Sequence, residues 1–169
     1  MASQPVDPGV RVAALHEFGL LRTIEAASDA LFADVGIGPF VLDVEDDDHL
    51  EHSSVVLVSG EPPVGFVSVG IVDGAAHIWQ LSVDPVFGRQ GRGTALLEAA
   101  CDWARDAGLG SITLTTYRDV PWNGPFYARR GFVVVDDLLP GLAAVRAHEG
   151  ANGDDDFGPR VAMRRQLGR

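Results

Sequence analysis

The stretch "LSVDPVFGRQGRGTALLEAACDWARDAG", Leu81 to Gly108, decides the fold. A strand-like run passes into a loop with two arginines (Arg89, Arg92) and three glycines (Gly88, Gly91, Gly93), and a helix follows at once. Leu96, Leu97, Ala100, Trp103 and Ala104 recur at helical spacing, which predicts one buried stripe, and Gly108 supplies the stop. Amides at a helix start lack intrahelical acceptors and carry partial positive charge, so they suit an anion. Glycine lets the backbone approach such an anion closely, and the arginines add charge. Phosphate binding is the sharp expectation, and a flexible surface turn the plain alternative.

Working outward, "VRVAALHEF" reads as a strand, and "LLRTIEAASDALFADVG" as a helix with Leu21, Ile24, Ala27 and Leu31 inward and a stop at Gly36. "VLDVEDDDHLEH" is acidic, a short helix or a loop. "SSVVLVSG", "PVGFVSVGIVDG" and "AAHIWQLSV" are three strands joined by turn residues, which predicts an antiparallel meander. Beyond Gly108, "SITLTTY" is a strand and "WNGPFYARRGF" a short helix with Asn123 as N-cap. "FVVVDDLL" and "PRVAMRRQL" are further strands, separated by a helix ("GLAAVRAHE") and a flexible acidic loop ("GANGDDDFG"). The order predicts an α/β (α+β) domain: a mixed, mostly antiparallel sheet of about seven strands flanked by helices, spanning residues 1–169 as one unit.

Composition narrows the function. A net charge of −11 argues against general nucleic-acid binding. No apolar run approaches the roughly 18 residues of a membrane span, and "MASQPVDPGVRV" lacks a secretory profile. With a single cysteine, Cys101, no internal disulfide is possible, and a cytoplasmic protein is expected. All 13 basic residues are arginine, so no lysine Schiff base and no P-loop lysine is available. The dinucleotide pattern GxGxxG also fails, because its third glycine falls on Leu96.

The loop, "LSVDP" before it, "WNGPFYARRGF" after the next strand and the order of elements together resemble the GNAT superfamily of acyl-CoA-dependent N-acetyltransferases. That family's pyrophosphate loop reads [QR]-x-x-G-x-[GA]. Gly91 and Gly93 match its small positions, whereas Gly88 stands where Gln or Arg is usual, with Arg89 one residue later. The resemblance covers most of the chain. It implies acetyl-CoA as co-substrate, no metal, and cofactor contacts from Leu81, Ser82, Val83, Arg89, Gln90, Gly91, Arg92, Gly93, Thr94, Asn123 and Phe126. Asn123 serves as helix cap, cofactor contact or both.

Acetyl transfer from a thioester to an amine needs a deprotonated amine, because an alkylammonium of pKa about 10 has no lone pair. It also needs a stabilised oxyanion and a proton for the departing sulfur. Tyr127 matches the family's usual thiolate-protonating tyrosine; packing beside Phe126 and Phe132 is its plain alternative. Backbone N–H groups of Gln80–Val83 are the expected oxyanion donors by the same resemblance. His77 is the candidate base, against the commoner role of a hydrogen-bonded core histidine. Strict alternation puts His77, Trp79 and Leu81 on one face and Ile78, Gln80 and Ser82 on the other. Gln80 is a candidate to orient substrate or water. Glu25, Asp34, Asp43 and Glu45–Asp48 are candidates to attract a cationic amine, or a solvated loop. Phe32, Phe40 and Trp122 are candidates for an apolar wall, or ordinary core.

The expected activity is acetyl transfer to the amine of a small molecule. Transfer to a protein lysine or N-terminus, and a non-catalytic acyl-CoA-binding module, stay open beside it. A homodimer through the C-terminal strand "PRVAMRRQL" is a further expectation from the resemblance.

Overall fold

The computed structural model describes residues 9–38 and 49–168. Seven strands form one sheet: β1 (Val10–Val12), β2 (Val55–Ser59), β3 (Gly65–Val72), β4 (Ala75–Val83), β5 (Ser111–Tyr117), β6 (Val133–Val135) and β7 (Arg160–Gln166). Their spatial order is β1-β2-β3-β4-β5-β7-β6. Every pairing is antiparallel except β4 with β5. Among the described residues four α-helices accompany the sheet: α1 (Phe18–Asp29), α2 (Arg92–Asp106), α3 (Gly124–Ala128) and α4 (Pro140–Ala151). This is the expected mixed sheet flanked by helices.

The sheet is covered on both faces. Leu96, Leu97, Ala100, Cys101 and Ala104 of α2 bury against Val67, Val69, Ile78, Ile112 and Leu114. On the opposite face Phe18, Leu21 and Ile24 of α1 pack on Val56, Val58 and Phe66. The predicted α2 stripe is correct except that Trp103 is only partly buried and Cys101 takes its place in the core. α4 shares the α1 face. Its first turn is held by Asp73, in the β3–β4 turn, whose carboxylate accepts from the amides of Gly141 and Leu142, both at 2.8 Å. An acid at a helix N-terminus satisfies free donors and complements the dipole.

Several expectations need correction. β1 stops at Val12, and the chain then makes a 3-10 turn at Leu15–Glu17. The helix beginning at Phe18 ends at Asp29 and continues as a 3-10 turn, Ala30–Val35, so Leu31 is exposed rather than inward; Gly36 at φ 76° makes the stop. "GANGDDDFG" contains the end of α4 and a 3-10 turn at Asp154–Phe157. β7 is an interior strand between β5 and β6, with β6 paired along Ala162–Arg164, so a second copy cannot add to that stretch. The part of the dimer expectation that rested on a free edge of this strand does not hold along that stretch. Among the described residues no helix is long and apolar enough to cross a membrane.

The turn after β1 is closed by a buried carboxylate. Arg11 donates to both Glu17 oxygens, at 2.6 and 2.9 Å, and the Ala14 amide donates to Glu17 Oε2 at 2.8 Å. The Arg11 hydrogen bond first, then the Ala14 amide, lowers the Glu17 carboxyl from 4.5 to about 2. A carboxyl depressed in the folded state stabilises above its unfolded value, and that contribution fades as pH falls through the folded value. We predict that the Tm gap between wild type and Glu17→Gln is full at pH 7 and shrinks between about pH 4.5 and 2. A gap independent of pH over that window contradicts the assignment.

Candidate active site

The site begins with a failure of pairing. Parallel β4 and β5 meet only at Ala76↔Ile112 and His77↔Thr113. Beyond those pairs both strands run on, to Val83 and Tyr117, with no strand between them. The gap opens a cleft of about 1540 Å³ lined by Ile78, Trp79, Gln80, Leu81 and Val83 on one side and Leu114–Tyr117 on the other. Unpaired backbone groups of β4 therefore border a cavity, an arrangement suited to an extended ligand that adds to the strand.

A bulge re-aims the side chains there. Ser68 pairs with Gln80 and Val69 with Ile78, leaving Trp79 as the extra residue. Strict alternation therefore fails. Leu81 stands opposite Val67 on the α2 face, whereas Gln80 and Ser82 stand opposite Ser68 and Phe66 and share the α1 face with His77. Trp79 lies over Gly70, where a side chain would collide with its indole.

On the α2 side, the glycine loop delivers the helix start. Gly91 is the N-cap at φ 77°, a left-handed conformation natural to glycine, and no side chain caps the first amides. A Cβ on Gly91 would have nothing within 4 Å, and one on Gly93 would meet only Phe126 at 3.7 Å and Val83 at 4.0 Å. Arg89, also at positive φ (59°), and Arg92 line the cleft here. Arg92 is anchored across the loop, donating to Ser59 Oγ at 3.0 Å. Arg130 joins them, donating to Thr94 Oγ1 at 2.8 and 3.0 Å and to the Phe126 carbonyl at 2.9 Å. Its guanidinium lies 3.7 Å from the Phe126 ring centroid. These residues could cradle a phosphate-bearing group: free amides, close backbone and several arginines converge.

The cleft is also lined by Leu81, Val83, Thr94, Asn123, Phe126 and Tyr127. Ser82 and Gln90 are not among its lining residues. Ser82 is buried and its hydroxyl accepts from Gln80 Nε2 at 2.9 Å; Gln90 turns to Arg92 at 3.3 Å. Asn123 occupies the N-cap position of α3, yet its side chain makes no cap. Its Oδ1 accepts from Thr116 Oγ1 at 2.6 Å instead.

Tyr127 is 9% exposed and edge-on to both Phe126 and Phe132. Burial pushes its phenol above the ordinary value, with Arg130 opposing. The hydroxyl thus stays protonated at ordinary pH, a donor on a residue that lines the cleft.

His77 is 1% exposed and is not a lining residue. Its Nδ1 is 2.8 Å from Thr113 Oγ1 and its ring packs edge-on against Trp79. Burial draws it down to about 4, against the raising influence of Glu149 and Asp73. The candidate base is therefore a core histidine, neutral at ordinary pH and outside the cavity lining.

On the α1 and α4 side the cleft is rich in carboxylates and aromatic rings. Glu25 and Asp29 come from α1, Glu149 from α4, and Asp154 and Asp156 from the following turn. Glu149 is 13% exposed and bound by Arg146, Arg160 and Thr115. Burial raises its carboxyl, but Arg160 and the other partners outweigh this and the net shift is downward. Phe32 packs on Trp122 and Tyr117, with centroids 5.6 and 5.8 Å apart, and Phe32 and Trp122 both line the cavity. Asp34 is exposed and outside the lining; Phe40, Asp43 and Glu45–Asp48 lie outside the described residues. His49, Arg130, Glu149 and Arg160 were missed by sequence reasoning. Only Arg130 carried a signal, one helical turn beyond Phe126.

The family model described as "Acetyltransferase (GNAT) family" matches residues 20–132. Among solved structures, the chain is similar to an acetyltransferase of the GNAT family from Staphylococcus aureus Mu50, at 15% identity and TM-score 0.68, over 95% of this chain and 99% of that one. It is similar to a GCN5-related N-acetyltransferase from Rhodopseudomonas palustris, at 20% identity and TM-score 0.68, over 99% and 100% of the two chains. A third is the PaiA N-acetyltransferase from Thermoplasma acidophilum in complex with coenzyme A, at 16% identity and TM-score 0.63, over 94% and 98%. At these identities the likeness is one of fold.

Proposed function

The chain belongs to the acetyltransferase (GNAT) family, and from that premise we propose that it moves the acetyl group of acetyl-CoA to a primary amine of a small molecule. The observation that carries the reading is the cleft between β4 and β5, bordered by the uncapped start of α2 and by the Tyr127 hydroxyl. Gly91, Gly93, Arg89, Arg92 and Arg130 would hold the phosphates, and the unpaired half of β4 the pantetheine arm. Backbone N–H groups within Gln80–Val83 would stabilise negative charge on the carbonyl oxygen. Tyr127 would give its proton to the departing sulfur. The carboxylate and aromatic wall favours a cationic amine with an apolar body.

Two tests follow from the geometry. In a panel of small amines and lysine peptides with free thiol as readout, small amines should release thiol and peptides should not. Release with peptides alone overturns the small-molecule reading, and no release above solvent hydrolysis overturns the catalytic one. Arg89 is exposed and hydrogen-bonds to no partner among the described residues, whereas Arg92 is anchored on Ser59. Arg89→Ala is therefore predicted to weaken acetyl-CoA and flatten its salt dependence without changing the Tm of the free protein, whereas Arg92→Ala lowers both. Unaltered affinity in both variants contradicts the phosphate assignment.

A further inference from the structure

With His77 in the core, the α1 face of the cleft holds another proton-handling arrangement. His49 Nε2 is 3.1 Å from Glu25 Oε2, and His49 Nδ1 is 3.0 Å from Ser68 Oγ. Ser68 is fully buried, His49 is 18% and Glu25 14% exposed, and the imidazole lies parallel to Phe66 with centroids 6.3 Å apart. A carboxylate can only accept, so Nε2 carries the proton in the neutral ring, and Ser68 donates to Nδ1. Glu25 lines the cavity, and the His49 contact uses only its Oε2. Ser68 stands directly opposite Gln80, so this chain of bonds reaches the cleft one strand away from the open half of β4.

We propose that Glu25 receives the acceptor amine, with His49 and Ser68 as positioning residues that fix the carboxylate; this rests on the amine-acetyltransferase reading above. An acceptor arriving as an ammonium sheds two protons on the way to an amide. One passes to water and frees the lone pair, which forms the C–N bond to the carbonyl carbon. The C–S pair leaves on sulfur, which takes the Tyr127 proton. The second nitrogen proton, made acidic as the C–N bond closes, passes to Glu25 Oε1. Glu25 then releases it to water and Tyr127 regains one from water, for a net release of one proton. The carboxylates that share this side of the cavity are Asp29 on α1, Glu149 on α4 and Asp154 and Asp156 in the following turn; Glu149 is paired with Arg160 at 3.1 Å, and the remaining cationic lining, Arg89, Arg92, Arg129 and Arg130, comes from the loop before α2, the start of α2 and the end of α3.

Glu25→Gln is expected to lower kcat/KM by about a hundredfold, with acetyl-CoA affinity by calorimetry unchanged. His49→Gln, which keeps a side-chain N–H for Glu25, should retain most activity, whereas His49→Leu should approach Glu25→Gln. In the free protein, nitrogen NMR of labelled histidine, taken at a pH where the spectrum shows the neutral ring, should find the His49 proton on Nε2, with the signal identified by its loss in His49→Gln. A loss below tenfold in Glu25→Gln, equal losses in the two His49 variants, or a proton on His49 Nδ1 each overturns the proposal. Absence of thiol release by wild type with every amine would instead strike the functional reading, and the NMR result would still decide the relay.

Discussion

Replacing Tyr127 by phenylalanine is expected to lower kcat by about ten- to a thousandfold while acetyl-CoA affinity barely changes. The ring is fixed between Phe126 and Phe132, so its removal from the cofactor wall is not at issue; only the hydroxyl is lost. Because burial holds the phenol protonated, the wild-type rate should show no alkaline decline from Tyr127 within the ordinary range of assays. Single-turnover kinetics isolate the chemical step. Equal single-turnover rates for wild type and Tyr127→Phe at every pH reject the acid role and leave the remainder of the site intact.

Gly124→Ala is the second substitution with a large expected effect. A Cβ there would overlap the Arg118 carbonyl oxygen and lie 3.0 and 3.1 Å from the Arg118 carbonyl carbon and Cα. These are backbone atoms, so the start of α3 must move rather than a flexible side chain. Overpacking of this kind costs about 1–3 kcal/mol. The displaced helix carries Tyr127 and Phe126, so kcat should fall along with the melting temperature. Gly19→Ala is the control: a Cβ at Gly19 in α1 meets nothing within 4 Å, and alanine is the better helix former. Gly124→Ala melting with wild type and turning over at the same rate contradicts the close approach of α3 to Arg118.

What could be read from the chain alone was local. "AAHIWQLSV" coincides with β4 from Ala75 to Val83, and the α2 stripe needed only the exchange of Trp103 for Cys101. Glycine punctuation worked because Gly36 and Gly108 need the left-handed conformation at helix stops. What was not legible depends on partners distant in sequence. The bulge at Trp79 exists only in the register of β4 against β3, and it reverses the faces of Gln80 and Leu81 relative to His77. His77 looked available because no sequence pattern reveals Thr113 bonded to its Nδ1. Arg130 and Thr94 are 36 residues apart, and His49 and Glu25 are 24 apart. Their pairing is a product of tertiary packing, which periodicity does not encode.

The central claim is that the cleft between β4 and β5 binds acetyl-CoA through the start of α2. Calorimetric titration of the purified chain with acetyl-CoA at low salt tests it most directly. The account predicts one-to-one binding that weakens as salt rises, raises the Tm, and is reduced in Arg89→Ala. No heat of binding at saturating acetyl-CoA, with no shift in Tm, contradicts it.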